Sequence, residues 1–252
     1  SSAASDVYKR QEYVDVHCHA YGFKLLDLMK FTEAGIAIIG VAEDYESSLK
    51  VLQYAKELKN CFPAIAIHPW NIDKIKEEDV EEVLKLAKDV KILGEIGLDK
   101  KFVPDTFEKQ KPIFERFVEF AAEHNLALNL HAPNAWEDVL KIITDKGIKR
   151  ANFHWYTGPL NLLREIEAQG YFISINPAIK IQKKHVRVAE KANLSIILTE
   201  SDGPYNYRNM FLSPDMIPQT VEEIARLKEM EIKDIKRVIL ENFKRYIGVT
   251  SL

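Results

Sequence analysis

A chain of 252 residues with 46% hydrophobic and 29% charged side chains has the composition of an ordinary α/β protein with a well-developed core, in one large domain or two smaller ones. Lys and Arg number 35 against 38 Asp and Glu, a formal charge of -3, which excludes a globally basic, non-specific nucleic-acid binder but leaves room for a local phosphate-holding patch. No apolar run approaches membrane-span length, SSAASDVYKR at the N-terminus lacks a signal-peptide core, and Cys18 and Cys61 make no disulfide framework, so a cytoplasmic enzyme is the expectation.

The first element is YVDVHCH, residues 13–19, a short buried strand. Its alternation puts Asp15, His17 and His19 on one face and Val14, Val16 and Cys18 on the other. Two imidazoles and a carboxylate fill an apolar core badly. They begin a metal site well, because neutral imidazole is a ligand and a strand holds both rings rigidly. FKLLDLMKFTEAG then reads as a helix ending near Gly35, IAIIG as a second strand, and SSLKVLQYAKELKN as a helix with Ser47 or Ser48 as cap. FPAIAIHPW is a third strand ending at His68, followed by an amphipathic helix over 75–90. KILGEIGLD is the fourth strand, and Pro112 marks a break or first turn in the long helix after it.

LALNLHA is the fifth strand, with a helix closed by Gly147, and KRANFHWYTG gives a sixth strand ending at His154. GPLNLLREIEAQG is helix, YFISINPA the seventh strand and KKHVRVAEKAN its helix. LSIILTESD is the eighth strand, ending in acidic residues; a polar, aromatic loop through Met216 and two terminal helices complete the chain. An open doubly wound sheet suits five or six strands and wants a glycine-rich loop after the first, yet neither GxGxxG nor GxxxxGK[ST] is present. Eight strands, each followed by a helical stretch with no linker between, predict a single (β/α)₈ TIM barrel spanning residues 1–252.

Function follows from position. Five of the seven histidines, His17, His19, His68, His131 and His154, fall at predicted strand C-termini, as do Glu95 and Asp202. A closed barrel gathers those ends at one face, where catalytic residues of this fold sit. Glu95, in a strand otherwise of Ile, Leu and Gly, must be paired or metal-bound, and its two oxygens suit it to bridge two cations. His131 and His154 would complete the second cation's shell. Asp202 would ligate a metal and accept the proton of a bound water, while Glu200 and Asp15 would brace ligating imidazoles. His68 is expected to contact substrate rather than metal, and His124 and His185 to be surface or packing residues.

DVHCH, IHPW, GEIGLD, LNLHA, FHWYTG and TESDGPY, in that order, resemble the TatD family of metal-dependent hydrolases within the amidohydrolase superfamily, over essentially the whole chain. The resemblance implies that His17 and His19 hold one metal, that Glu95 bridges, that His131 and His154 hold the second, and that Asp202 completes the first site and activates water. It also implies cleavage of phosphodiesters, in several members as exonucleases on DNA, with magnesium, manganese or zinc. Four positions depart from the family pattern. HPH becomes His68-Pro69-Trp70, a common arginine is Pro133, HCFSG becomes His154-Trp155-Tyr156-Thr157-Gly158, and the tyrosine after GLD is Lys100. Lys100, Lys101 or Arg208 would make up the lost phosphate grip, and Trp70, Trp155 and Tyr205 would stack on bases. The expectation is a hydrolase of phosphodiesters, single-stranded DNA ends among them, with two divalent cations. The alternatives are a lactonase or amidase on the same metals and a barrel that only binds nucleic acid or protein through its rim.

Overall fold

Each of the eight apolar runs becomes a parallel strand in the computed structural model, which describes residues 12–250. SSAASDVYKR lies outside the described residues. The strands are β1 (Tyr13–Cys18), β2 (Ile36–Val41), β3 (Cys61–Ile65), β4 (Ile92–Gly97), β5 (Ala127–His131), β6 (Ala151–Phe153), β7 (Phe172–Ile175) and β8 (Ile197–Thr199). They pair in chain order from β1 to β8, every pair parallel. The last strand returns to the first through Asp202 N–H donating to His17 O (2.9 Å), Ser201 N–H to Asp15 Oδ1 (2.8 Å) and the Thr199 hydroxyl to Val14 O (2.5 Å). The result is a nearly closed (β/α)₈ barrel, as the alternation of strands and helices predicts.

Helices α1 (Leu25–Glu33), α2 (Tyr45–Glu57), α3 (Glu77–Leu86), α4 (Phe107–His124), α5 (Trp136–Asp145), α6 (Leu162–Ala168), α7 (Lys183–Lys191), α8 (Ile217–Lys228) and α9 (Ile232–Ile247) form the outer layer. Their apolar stripes cover strands whose residues are buried on both faces, the pattern of a parallel sheet wrapped by helices. Among the described residues no helix is long and apolar enough to cross a membrane.

Three local expectations need correction. The cap of α2 is Asp44, whose carboxylate accepts from Ser47 N–H (2.8 Å) while Ser47 Oγ accepts from Asp44 N–H (3.0 Å), so Ser47 closes a capping box from the third position. Pro112 does not break α4. It costs only the bond to the carbonyl of Glu108, an exposed residue near the helix start. The loop after β8 contains an antiparallel hairpin, β9 (Tyr205–Tyr207) and β10 (Met210–Leu212). Its two turn residues, Arg208 and Asn209, both have positive φ (46° and 67°), the requirement of a tight mirror-image turn; arginine at the first place hid it from a sequence reading.

Candidate metal centre

Strands β4 and β5 approach closer than side chains ordinarily allow. A Cβ on Gly97 would lie 1.7 Å from the His131 carbonyl oxygen, and one on Gly94 would lie 2.5 Å from Asn129 Cβ. Glycine at both places lets Glu95 reach the barrel axis beside His131. There five imidazoles surround one carboxylate. His17 and His19 Nε2 lie 3.3 and 3.5 Å from Oε2, while His68 Nε2, His131 Nδ1 and His154 Nε2 lie 3.2, 2.9 and 3.3 Å from Oε1.

The first cluster adds Asp202 Oδ1, which is 3.4 Å from His17 Nε2 and 3.2 Å from His19 Nε2. Together with the two distances to Oε2, these separations are those between corners of a tetrahedron about 2 Å in radius, the length of a zinc–nitrogen or zinc–oxygen bond. His17 Nε2 and Glu95 Oε2 are buried without a hydrogen-bond partner, as donor atoms kept for a cation would be. The second cluster gathers His131 and His154 on the other oxygen of the same carboxylate. Two distinct groups able to hold divalent cations thus lie on either side of Glu95: His17, His19 and Asp202 form one, and Glu95 itself with His131 and His68 the other.

What each ring can do is set by its other nitrogen. Nδ1 of His17 meets Asn129 Oδ1 (2.7 Å), whose amide donates to Val16 O (2.6 Å), leaving Nε2 for the cluster. Nδ1 of His154 meets Glu200 Oε1 (3.2 Å). Glu200 also accepts from Trp155 N–H, Asn176 Nδ2 and the Ser174 hydroxyl, so its oxygens are taken up by hydrogen bonds behind the His154 ring. His19 Nδ1 faces Glu43 at 3.6 Å, and His131 Nε2 donates to Asp99 Oδ2 (2.8 Å). His68 differs. Its Nδ1 accepts from Trp70 N–H (3.1 Å), so the neutral ring carries its proton on Nε2 and is a donor to Glu95 rather than a ligand. Asp15 does not brace an imidazole; its carboxylate accepts the Ser201 backbone N–H across the barrel join and the His17 backbone N–H within its own strand.

The electrostatics follow. Burial pushes His17 and His131 down, but carboxylates override it: Glu95 carries His17 up to about 10, and Asp99 with Glu95 carries His131 up to about 9. Burial would raise Glu95, yet the surrounding imidazoles hold it well below the usual carboxylate range. His68 is lowered, chiefly by burial, in keeping with a neutral donor. Asp15 is raised by burial to about 7.

Above the clusters opens a cavity of about 480 Å³. Trp70, Phe102 and Lys101 form part of its wall, with Trp155, Tyr205 and Tyr207 also lining it. Pro133 lines it too, whereas Arg208 does not: it sits in the hairpin turn with its guanidinium 5.4 Å from the Tyr207 ring centroid. Lys100 is committed to Asp138 (2.7 Å). Glu43, Asp99 and Asn129 escaped the sequence reading. A lone Asp or Glu just past a strand looks like a helix cap, and only the faint signal of Asp99 closing GEIGLD pointed inward.

A (β/α)₈ barrel with two histidine–carboxylate groups at one mouth is the framework of a divalent-metal-dependent hydrolase. The family model described as TatD related DNase matches residues 14–248, and the chain belongs to the TatD family of metal-dependent hydrolases. An uncharacterized metal-dependent hydrolase of Methanocaldococcus jannaschii is 29% identical over 249 residues, covering 93% of this chain and 98% of its own. The uncharacterized metal-dependent hydrolase YabD of Bacillus subtilis is 28% identical over 222 residues, covering 84% and 87%. Among solved structures, the TatD homolog YjjV of Escherichia coli superposes with a TM-score of 0.86 at 22% identity, over 95% of this chain and 99% of that one.

Proposed function

We propose that this chain is a two-metal phosphodiesterase acting at the ends of nucleic-acid strands, single-stranded DNA being the substrate its mouth fits, with the barrel as one catalytic domain. The observation that carries this reading is Glu95, whose two oxygens face two separate sets of ligand nitrogens. His17, His19 and Asp202 would hold one cation with Glu95, and His131 and His154 the other. Two cations held there would supply polarisation of a phosphoryl group and activation of water near neutral pH. The imidazole-rich donors favour zinc or manganese, and the carboxylates admit magnesium.

The chain's own residues supply the rest. Asp202 Oδ1, at the edge of the first cluster, takes the proton of the attacking water. With Glu95 engaged by cations, His68 Nε2–H would be free to meet a phosphoryl oxygen, and Lys101 brings charge to the wall where Pro133 offers none. Trp155 and Tyr205 present ring faces to unpaired bases, each such stack being worth about 1–3 kcal/mol. Cys18 and Cys61 are buried and unpaired, which fits a reducing, cytoplasmic setting.

The test is turnover by the metal-reconstituted protein of a 3′-labelled single strand, an aryl phosphodiester, a lactone and an amide. Diester cleavage that a chelator abolishes is the expected result. Lactone or amide hydrolysis with no diester cleavage overturns the reading.

A further inference from the structure

We propose that Asp99, anchored by the indole of Trp70, is the positioning residue that aims His131 into the second cation cluster, and that this pair governs the loading of that cluster alone. The proposal rests on the two-metal reading above.

Asp99 is fully buried, and its carboxylate is saturated with donors. Oδ1 accepts from the backbone N–H groups of Lys101 (2.8 Å) and Phe102 (2.7 Å), and Oδ2 from Trp70 Nε1–H (2.6 Å) and His131 Nε2 (2.8 Å). Its own backbone is pinned, since Asp99 N–H donates to Oε1 of the buried Gln110 (2.7 Å). A carboxylate in this position does more than fill space. It obliges His131 to keep a proton on Nε2, so that Nδ1, which faces Glu95 Oε1 at 2.9 Å, is the nitrogen that would give up its proton to ligate a cation in the cluster.

Trp70 belongs to the same arrangement. About half of the residue is exposed on the cavity wall, but its only polar group is spent on the oxygen that His131 uses. Its ring is therefore held in place and is not a surface free to swing onto a base. The first cluster is built differently: His17 leans on Asn129 and His19 faces Glu43. Among the described residues no hydrogen bond joins His17, His19 or Asp202 to Asp99, so a fault at Asp99 should be felt on one side of Glu95 only.

The four donors also make the role testable. An asparagine at 99 must turn its NH₂ toward either two backbone N–H groups or the Trp70–His131 pair. In the second case His131 can accept only by moving its proton to Nδ1, the wrong tautomer for a ligand. Cation-free protein is titrated with zinc and with manganese against a chromophoric chelator, and stoichiometry is read by elemental analysis. The wild type is expected to load two cations. Asp99→Asn should keep one at wild-type affinity and bind the other about 10–100-fold more weakly. Trp70→Phe keeps a ring but removes the N–H; it should weaken the same cation at least ~3-fold by loosening Asp99, and it decides the matter if Asp99→Asn does not fold. The downfield Nε2–H proton resonance of His131, assigned with His131→Ala, should be present in the wild type and lost in Asp99→Asn. If both variants load two cations with wild-type affinities, or lose both cations equally, the proposal fails and the two-metal reading stands. A wild type that saturates at one cation removes both.

Discussion

Glu95 is the residue on which the others depend. Five imidazoles lie 2.9–3.5 Å from it: His17 from β1, His19 just past its end, His131 from the last residue of β5, and His68 and His154 from beyond the ends of β3 and β6. Glu95→Ala should therefore release or scramble at least one cation, seen as fractional metal content after reconstitution. Asp202→Asn keeps an oxygen donor but removes the proton acceptor. It should retain most of its metal while kcat falls by roughly 10² or more, and near wild-type turnover would disprove proton transfer to this carboxylate. The histidines were legible in the sequence because alternation along a strand and position at its end are both local signals. The residues behind them were not. Asp99 meets His131 32 positions away and Trp70 29 positions away, and Asn129 reaches back 112 positions to His17, so only closure of the barrel makes them partners.

The segments after β6 and β7 are tied to α7 by one buried histidine. His185 Nε2 accepts from Asn176 N–H (3.0 Å), and Nδ1 donates to Tyr156 O (3.1 Å). The sequence marked it as surface or packing; it is packing, on the same helical face as the buried Val188 and Ala189. Burial lowers its pKa to about 4, against about 6.5 for an unfolded histidine. Between those values the unfolded chain binds a proton that the folded one refuses. His185 thus supports the fold fully above pH ~6.5, and that support is lost as pH falls toward about 4. His185→Gln should be less stable at pH 8 by about 1–2 kcal/mol, having lost well-placed bonds, but should lose less on acidification. Urea unfolding at pH 8 and pH 5 measures both; parallel losses in the two proteins would assign the acid sensitivity elsewhere. The β9–β10 hairpin is a second element with a local consequence. Tyr207 packs edge-on against Trp155 at 5.0 Å between centroids, and the Trp155 indole donates to Gln182 (3.0 Å) just before α7. Trp155→Ala should weaken binding of a single-stranded oligonucleotide about 30-fold, the middle of the range for one lost stack, and change KM for a small aryl diester much less.

On the scale of the whole molecule, the barrel was readable from eight alternating elements, but the way it closes was not. TESD ends the last strand in the sequence reading; in the fold β8 stops at Thr199, and the next residues serve as stitching to β1. Thr199→Val keeps the shape of the side chain and leaves the buried Val14 carbonyl without the hydroxyl that now reaches it. It should cost about 1–3 kcal/mol, a fall in Tm of roughly 2–4 °C for each of those kcal/mol in a domain of this size. An unchanged Tm would show that backbone bonds alone hold the join. The same join has a mechanical side. His17 and His19 come from the first strand and Asp202 from just past the last, so the donors of one cluster lie on both sides of the closure. A cation among them is a buckle: fraying from either terminus must undo it before the barrel opens. Metal supply then sets how long the protein survives a protease as well as how fast it works, and chelation should shorten its half-life in a proteolysis assay before any substrate is added.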